Sequence, residues 1–205
     1  MSVRRHLERL VLEKAPGPVP SFNVFDIVKV LETIADAGLI GRGKISEKLR
    51  LGEGATRTLL ARLSDAKLIT TSKSGCALTG KGKRLWEEFS AIMPQKVELQ
   101  ENELTFAPYN VAVLVKNRVQ KVEKGLEQRD AAVRAGARGA MTLLLKGNRL
   151  VLPTISQNLA SDYPKAFSQI AKLRNLEEND VVIICGADGR KEAEYGALAA
   201  AWTII

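Results

Sequence analysis

The stretch Gly52-Glu53-Gly54-Ala55-Thr56-Arg57-Thr58-Leu59-Leu60-Ala61-Arg62-Leu63 decides how the N-terminal half is read. A tight glycine turn, Leu51 to Gly54, leads into a helix from Ala55 that buries Leu59, Leu60, Leu63 and Ala66 and runs into the apolar pair Leu68-Ile69. At about 100° per residue, Leu59, Leu63 and Ala66 inward means Gly54, Arg57, Thr58, Ala61 and Asp65 outward, with Arg62 flanking that face. The face is small and basic. A helix entering a nucleic-acid groove needs that combination, close approach together with cations that reach base edges.

On the N-terminal side, Ile45-Ser46-Glu47 through Leu49 predicts a two-turn helix with Ser46 as its cap, after Gly41-Arg42-Gly43. Before it, Asn23 followed by Asp26 has the form of a capping box. Val24, Ile27, Val28, Leu31 and Ile34 then recur at helical spacing until Gly38. Residues 3 to 14 predict a short amphipathic helix on Val3, Leu7, Leu10 and Val11, and the segment 15–20, Ala-Pro-Gly-Pro-Val-Pro, reads as a linker.

On the C-terminal side, two β-like segments, Leu68 to Thr71 and Cys76 to Thr79, flank Ser72-Lys73-Ser74-Gly75 and predict a hairpin. A helix from Lys81 to Met93 follows, with Leu85, Trp86, Phe89 and Ile92 inward, and Pro94 ends it. Helix, short helix, glycine turn, long helix, basic hairpin and helix is the element order of a winged helix-turn-helix.

Charge falls on the same segment. The 205-residue chain carries a formal net charge of +8, and residues 42 to 84 alone hold 11 basic residues against Glu47, Glu53 and Asp65, also +8. Such a concentration favours a polyanionic partner. Within a winged helix, Arg57 suits guanine edges, Thr58 a base or phosphate, and Gly54 and Ala61 close approach, with Arg62 at the flank. Lys73 at the hairpin tip suits a phosphate or the minor groove, and Lys44, Lys48 and Arg50 would set register on the backbone. The expected partner is double-stranded DNA, although phosphate attraction alone does not separate DNA from RNA.

The C-terminal half opens on a polar connector and then an unbroken apolar run, residues 110–115, of buried-strand type. The pattern predicts a helix over 118–135, two strands about Gly147-Asn148, a helix near 162–174, a strand at Val181 to Cys185 and a last helix over 190–203. The order β-α-β-β-α-β-α is simplest as a split β-α-β, ferredoxin-like sheet with an added helix. The fold class is therefore α+β, with an N-terminal helix and linker over 1–20, a winged helix-turn-helix over 21–95 and an α/β effector or dimerisation domain over 105–205.

Two places in that domain suggest an effector. Arg129-Asp130 interrupts a stripe of Val119, Val122, Leu126 and Val133, and such a polar pair needs partners, either an anion bound by Arg129 or a buried or edge salt bridge that fixes the fold. Cys185-Gly186-Ala187-Asp188-Gly189-Arg190, between strand and helix, would offer N–H groups and Arg190 to an anion beside Asp188.

Enzymatic readings have little support. His6 is the sole histidine and lies in the N-terminal helix, Cys76 and Cys185 sit in unlike contexts, and Gly186, Gly189 and Gly196 lack dinucleotide spacing. No catalytic residue, metal or cofactor is expected. No apolar run reaches the roughly 20 residues of a membrane span, and no leader-like segment opens the chain, so a soluble cytoplasmic protein is expected.

The residues 52–63 quoted above and Gly75-Cys76-Ala77-Leu78-Thr79-Gly80-Lys81-Gly82-Lys83 resemble archaeal winged-helix transcriptional regulators. With Glu127-Gln128-Arg129-Asp130-Ala131-Ala132 and Gly139-Ala140-Met141-Thr142-Leu143, the chain looks like a family of archaeal proteins pairing a winged helix with a C-terminal α/β domain of unknown function. The resemblance implies two domains and a regulator-like plan, and it supplies neither ligand nor target. A dimeric regulator, with the C-terminal domain dimerising or sensing a small molecule, is the leading expectation. An RNA-associated protein or an enzyme acting through the α/β domain is the alternative.

Overall fold

The computed structural model describes residues 2–12 and 21–205 and divides the chain into two compact units, Met1–Phe89 and Ser90–Ile205. The proline-rich linker expected at 15–20 lies outside the described residues.

The first unit contains α1 (Val3–Leu12), α2 (Val24–Ala37), α3 (Arg42–Leu49), α4 (Glu53–Asp65), β1 (Ile69–Ser72), β2 (Gly75–Leu78) and α5 (Gly80–Ile92), which carries the unit boundary. The Asn23 side chain accepts from Phe25 N at 2.8 Å and Asp26 N at 3.2 Å. Asp26 in turn accepts from Asn23 N at 2.8 Å, completing the capping box of α2. Gly38, at φ 68°, ends that helix. Leu7, Leu10, Ile27, Leu31, Ile34, Ile45, Leu59, Leu63 and Leu68 are fully buried and form the apolar interior of the unit.

The expected cap at Ser46 is wrong. Gly41 is the N-cap of α3, and Ser46 lies inside the helix, where its hydroxyl donates to Leu51 O at 2.6 Å. A serine that can bond locally at either end of a short helix does not mark its start.

The second unit holds β3 (Gln95–Glu98), β4 (Tyr109–Val115), a 3₁₀ turn (Val119–Lys121), α6 (Leu126–Arg134), β5 (Gly139–Lys146), β6 (Arg149–Val151), α7 (Leu159–Asp162), α8 (Pro164–Ile170), β7 (Val181–Ala187) and α9 (Arg190–Trp202). Its sheet has the order β3-β4-β7-β5-β6, with every neighbouring pair antiparallel. Val111, Val113, Val115, Ile183 and Cys185 pack on one face with Ala132 of α6 and Ala193, Ala197 and Ala200 of α9. Ala112, Leu114, Val182 and Ile184 pack on the other with Leu159, Ala166 and Ile170 of α7 and α8. Strands covered on both faces must be apolar at every position, which is why β4 and β7 read as continuous runs.

This sheet corrects the ferredoxin-like expectation. The β-α-β connections are split as expected, because β7 lies between β4 and β5 and β5 lies between β6 and β7. A ferredoxin-like sheet centres its first and third strands and gathers its helices on one face. Here the central strands are the second and fourth of that set, β5 and β7, and helices cover both faces. The segment read as a polar connector also contains β3, an edge strand whose Lys96 and Glu98 face water. Charged edges of this kind resist further pairing and leave little apolar signal.

The single helix expected over 118–135 is replaced by a 3₁₀ turn and the short α6. Buried Asp180 holds the chain at Asn117 N (2.9 Å) and Lys116 Nζ (2.6 Å), and Gly125, at φ 80°, fits against Thr142 and launches α6. The buried positions of α6 are Gln128 and Ala132, so Leu126 and Val133 face solvent and the predicted stripe does not exist.

Candidate nucleic-acid interface

The β1–β2 hairpin is fixed to the rest of its unit by one pair of backbone bonds. Ile40 N donates to Cys76 O at 3.1 Å, and Cys76 N donates to Ile40 O at 2.8 Å. Gly75, at φ 140°, makes this approach: a Cβ there would lie 2.7 Å from Ile40 O. The turn itself is Lys73-Ser74, braced by the Ser72 and Ser74 hydroxyls at 2.7 Å. Lys73 therefore projects from a tip whose base is rigidly held.

That tip and the outward face of α4 line one cleft of about 640 Å³. Arg57, Ala61 and Asp65 come from α4, Lys73 from the hairpin, and Arg42 from the first turn of α3. The sequence places Arg57 and Ala61 on one helix face and Lys73 on the hairpin, and the fold puts all three around one space. It missed Arg42, although this cation flanked by Gly41 and Gly43 was a legible signal. Cys76 also lines the cleft; burial raises the pKa of its thiol, and the charge of Arg42 opposes that shift.

Gly54 and Thr58 are exposed on the first turns of α4, and the Thr58 hydroxyl donates back to Gly54 O at 3.0 Å. Thr58 thus keeps acceptor capacity while its proton is used within the helix. Lys44, Lys48 and Arg50 are exposed on α3 and at its C-cap, outside the cleft.

Arg62 is a correction. It is 8% exposed, its Nη1 donates to Leu10 O at 2.9 Å and Val11 O at 2.6 Å, and its guanidinium lies 5.3 Å from the centroid of Phe22. Its side chain is used inside the unit and does not flank an open face.

In the second unit, each of the four residues expected to hold an effector is engaged in an ion pair. Arg129 and Asp130 are exposed on α6 and pair with each other at 3.2 Å, a surface pair rather than the fold-fixing salt bridge that was the alternative to an anion there. Asp188 pairs with Arg138, and Arg190 with Glu98. Each charge already has a neutralising neighbour. Cys185 is buried, its Sγ donates to Gly139 O, and burial pushes its pKa up to about 12, so it is a packed thiol. Among the described residues no group of histidine, cysteine and acidic side chains could hold a metal ion, and no helix is long and apolar enough to cross a membrane.

The architecture has a solved counterpart. Hypothetical protein PH0730 from Pyrococcus horikoshii OT3 is 32% identical, with a TM-score of 0.69, over 87% of this chain and 91% of that one. The chain belongs to the PH0730-like family. Residues 26–84 match the PH0730-like N-terminal domain, and residues 106–204 match a domain of unknown function, DUF4443. A MarR family protein of Mycobacterium tuberculosis, Rv2887, solved in complex with DNA, is 16% identical over 43% of this chain and 65% of that one. Its TM-score of 0.31 is too slight to inform the fold. A comparison with curated proteins gave no match. Within the PH0730-like plan, the cleft lies wholly inside the N-terminal family domain.

Proposed function

We propose that this PH0730-like protein is a sequence-specific, double-stranded-DNA-binding transcriptional regulator. The first unit acts as a winged helix-turn-helix, with α4 in the major groove and the β1–β2 hairpin as the wing. The observation that carries this reading is the shared cleft, where Arg57 on the small outward face of α4, Arg42 at the start of α3 and Lys73 at the hairpin tip border one space. Arg57 is the base-reading cation, and Lys73 and Arg42 are backbone contacts. Lys44, Lys48 and Arg50 extend the phosphate track along α3.

The protein acts as a homodimer, because regulators of this class match their own two-fold symmetry to paired half-sites. Dimerisation is assigned to the second unit, which has no role in base contact. Binding is favoured over catalysis because the only histidine lies in α1 and both cysteines are buried.

Selection of duplexes from a random pool, sequenced at two salt concentrations, tests this directly. Recovery of a motif with two half-sites is expected. A pool that stays unenriched while binding falls steeply with salt would leave only nonspecific phosphate attraction and reject the reading.

A further inference from the structure

Lys146 and Arg149 are cross-strand partners in the β5–β6 hairpin, and both are exposed. Like charges opposite each other weaken a hairpin unless something between them is negative. Among the described residues no ion pair or side-chain hydrogen bond engages either cation. The neighbouring cross-strand pair on the same side of the pleat, Leu144 and Val151, is apolar. Lys146, Arg149, Val151 and Pro153 line a cleft of about 560 Å³ with Glu123 and Gln157, and Leu144 is buried in the core beneath it. The hairpin tip is held from outside: Gly147 N and Asn148 N donate to the two carboxylate oxygens of Glu178 at 2.9 and 3.2 Å. The two cations are therefore set on a backbone that is already ordered, which lowers the entropic cost of binding.

We propose that this cleft binds a small organic anion, with its charged head between Lys146 and Arg149 and an apolar body over Val151 and Pro153. The volume suits a small molecule. Glu123 disfavours a polyanion, whose charges would continue along the cleft, so a single-headed carboxylate or phosphate ester fits better than a nucleic-acid strand. This effector site lies away from both places the sequence suggested. It stands independently of the DNA-binding reading, since hexanoate binding is read in the absence of DNA.

The test uses the full chain and follows amide shifts by NMR on titration with hexanoate, inorganic phosphate and hexanol. Hexanoate is expected to shift amides of β5, β6 and the loop at Glu123, and to bind tighter than the other two probes. Lys146→Gln/Arg149→Gln is expected to weaken hexanoate by at least about tenfold, as loss of a charge-assisted contact requires, while Arg129→Gln leaves it unchanged. Each single variant gives part of that loss, which guards against a double variant that fails to fold. No shift with hexanoate overturns the proposal, and equal binding of phosphate overturns its apolar component. If the double variant instead lowers duplex affinity and leaves hexanoate binding intact, the surface belongs to the nucleic-acid interface and the proposal fails.

Discussion

The Arg62 guanidinium donates to the backbone carbonyl of Val11 at 2.6 Å, so one side chain of α4 closes the C-terminal end of α1. It makes a second bond to Leu10 O at 2.9 Å and lies over Phe22, and it does so from the position next to Ala61 on the same helix. The helix thus carries two arginines five residues apart with opposite assignments, one facing the cleft and one facing the interior.

Arg62→Ala removes both bonds and leaves two helix-terminal carbonyls without their donor. A loss of about 2–4 kcal/mol in denaturant unfolding is expected, with duplex affinity of the folded protein nearly unchanged. Arg57→Ala should behave in the opposite way, with stability unaltered within about 0.5 kcal/mol and base preference relaxed. Equal stability effects from the two would remove the distinction between them.

Gly75→Ala places a methyl group against Ile40 O at a backbone angle that L-residues rarely adopt, so the hairpin must shift. A cost of about 1–3 kcal/mol is expected. Gly54→Ala, where an added Cβ meets nothing within 4 Å, should instead stabilise α4 by about 0.5–1 kcal/mol. Thermal melts of the two variants give the comparison, and a neutral Gly75→Ala would show that the hairpin is not held through this contact.

His6 has its pKa lowered from 6.5, chiefly by burial and then by Lys81 and Arg9. The folded state therefore resists the proton that the unfolded state accepts. Stability is full above pH 6.5 and declines as pH falls through that value, because protonation then favours unfolding. Across this window the wild type should lose stability relative to His6→Gln as pH falls, read as a change in the difference between their unfolding midpoints. Parallel curves would show that His6 contributes no linkage.

Both thiols should be slow towards an alkylating reagent at neutral pH. Cys185 is held protonated by burial, with a pKa near 12, and Cys76 is 4% exposed and also shifted upward. Mass spectrometry should find full labelling only after denaturation. Rapid labelling of the native chain at Cys76 would mean that the hairpin opens away from Ile40.

What the sequence determined was set by local chemistry and by periodicity. The capping box at Asn23 and Asp26, the stop at Gly38, the hairpin about Lys73 and the turn at Gly147-Asn148 each follow from a few neighbouring residues, and all form as read. The outward face of α4 followed from a 3.6-residue repeat that Leu59 and Leu63 fixed. Tertiary structure decided the partners. Arg62 turns inward because the carbonyls of Leu10 and Val11, some fifty residues away, accept its protons. β3 pairs although three of its four residues are polar, and the helix expected at 118 breaks because Asp180 binds the backbone at Asn117. Strand order and the approach of Glu123 to the β5–β6 hairpin belong to the same class. Each depends on contacts between segments distant in the chain, whose energies no local pattern of side chains records.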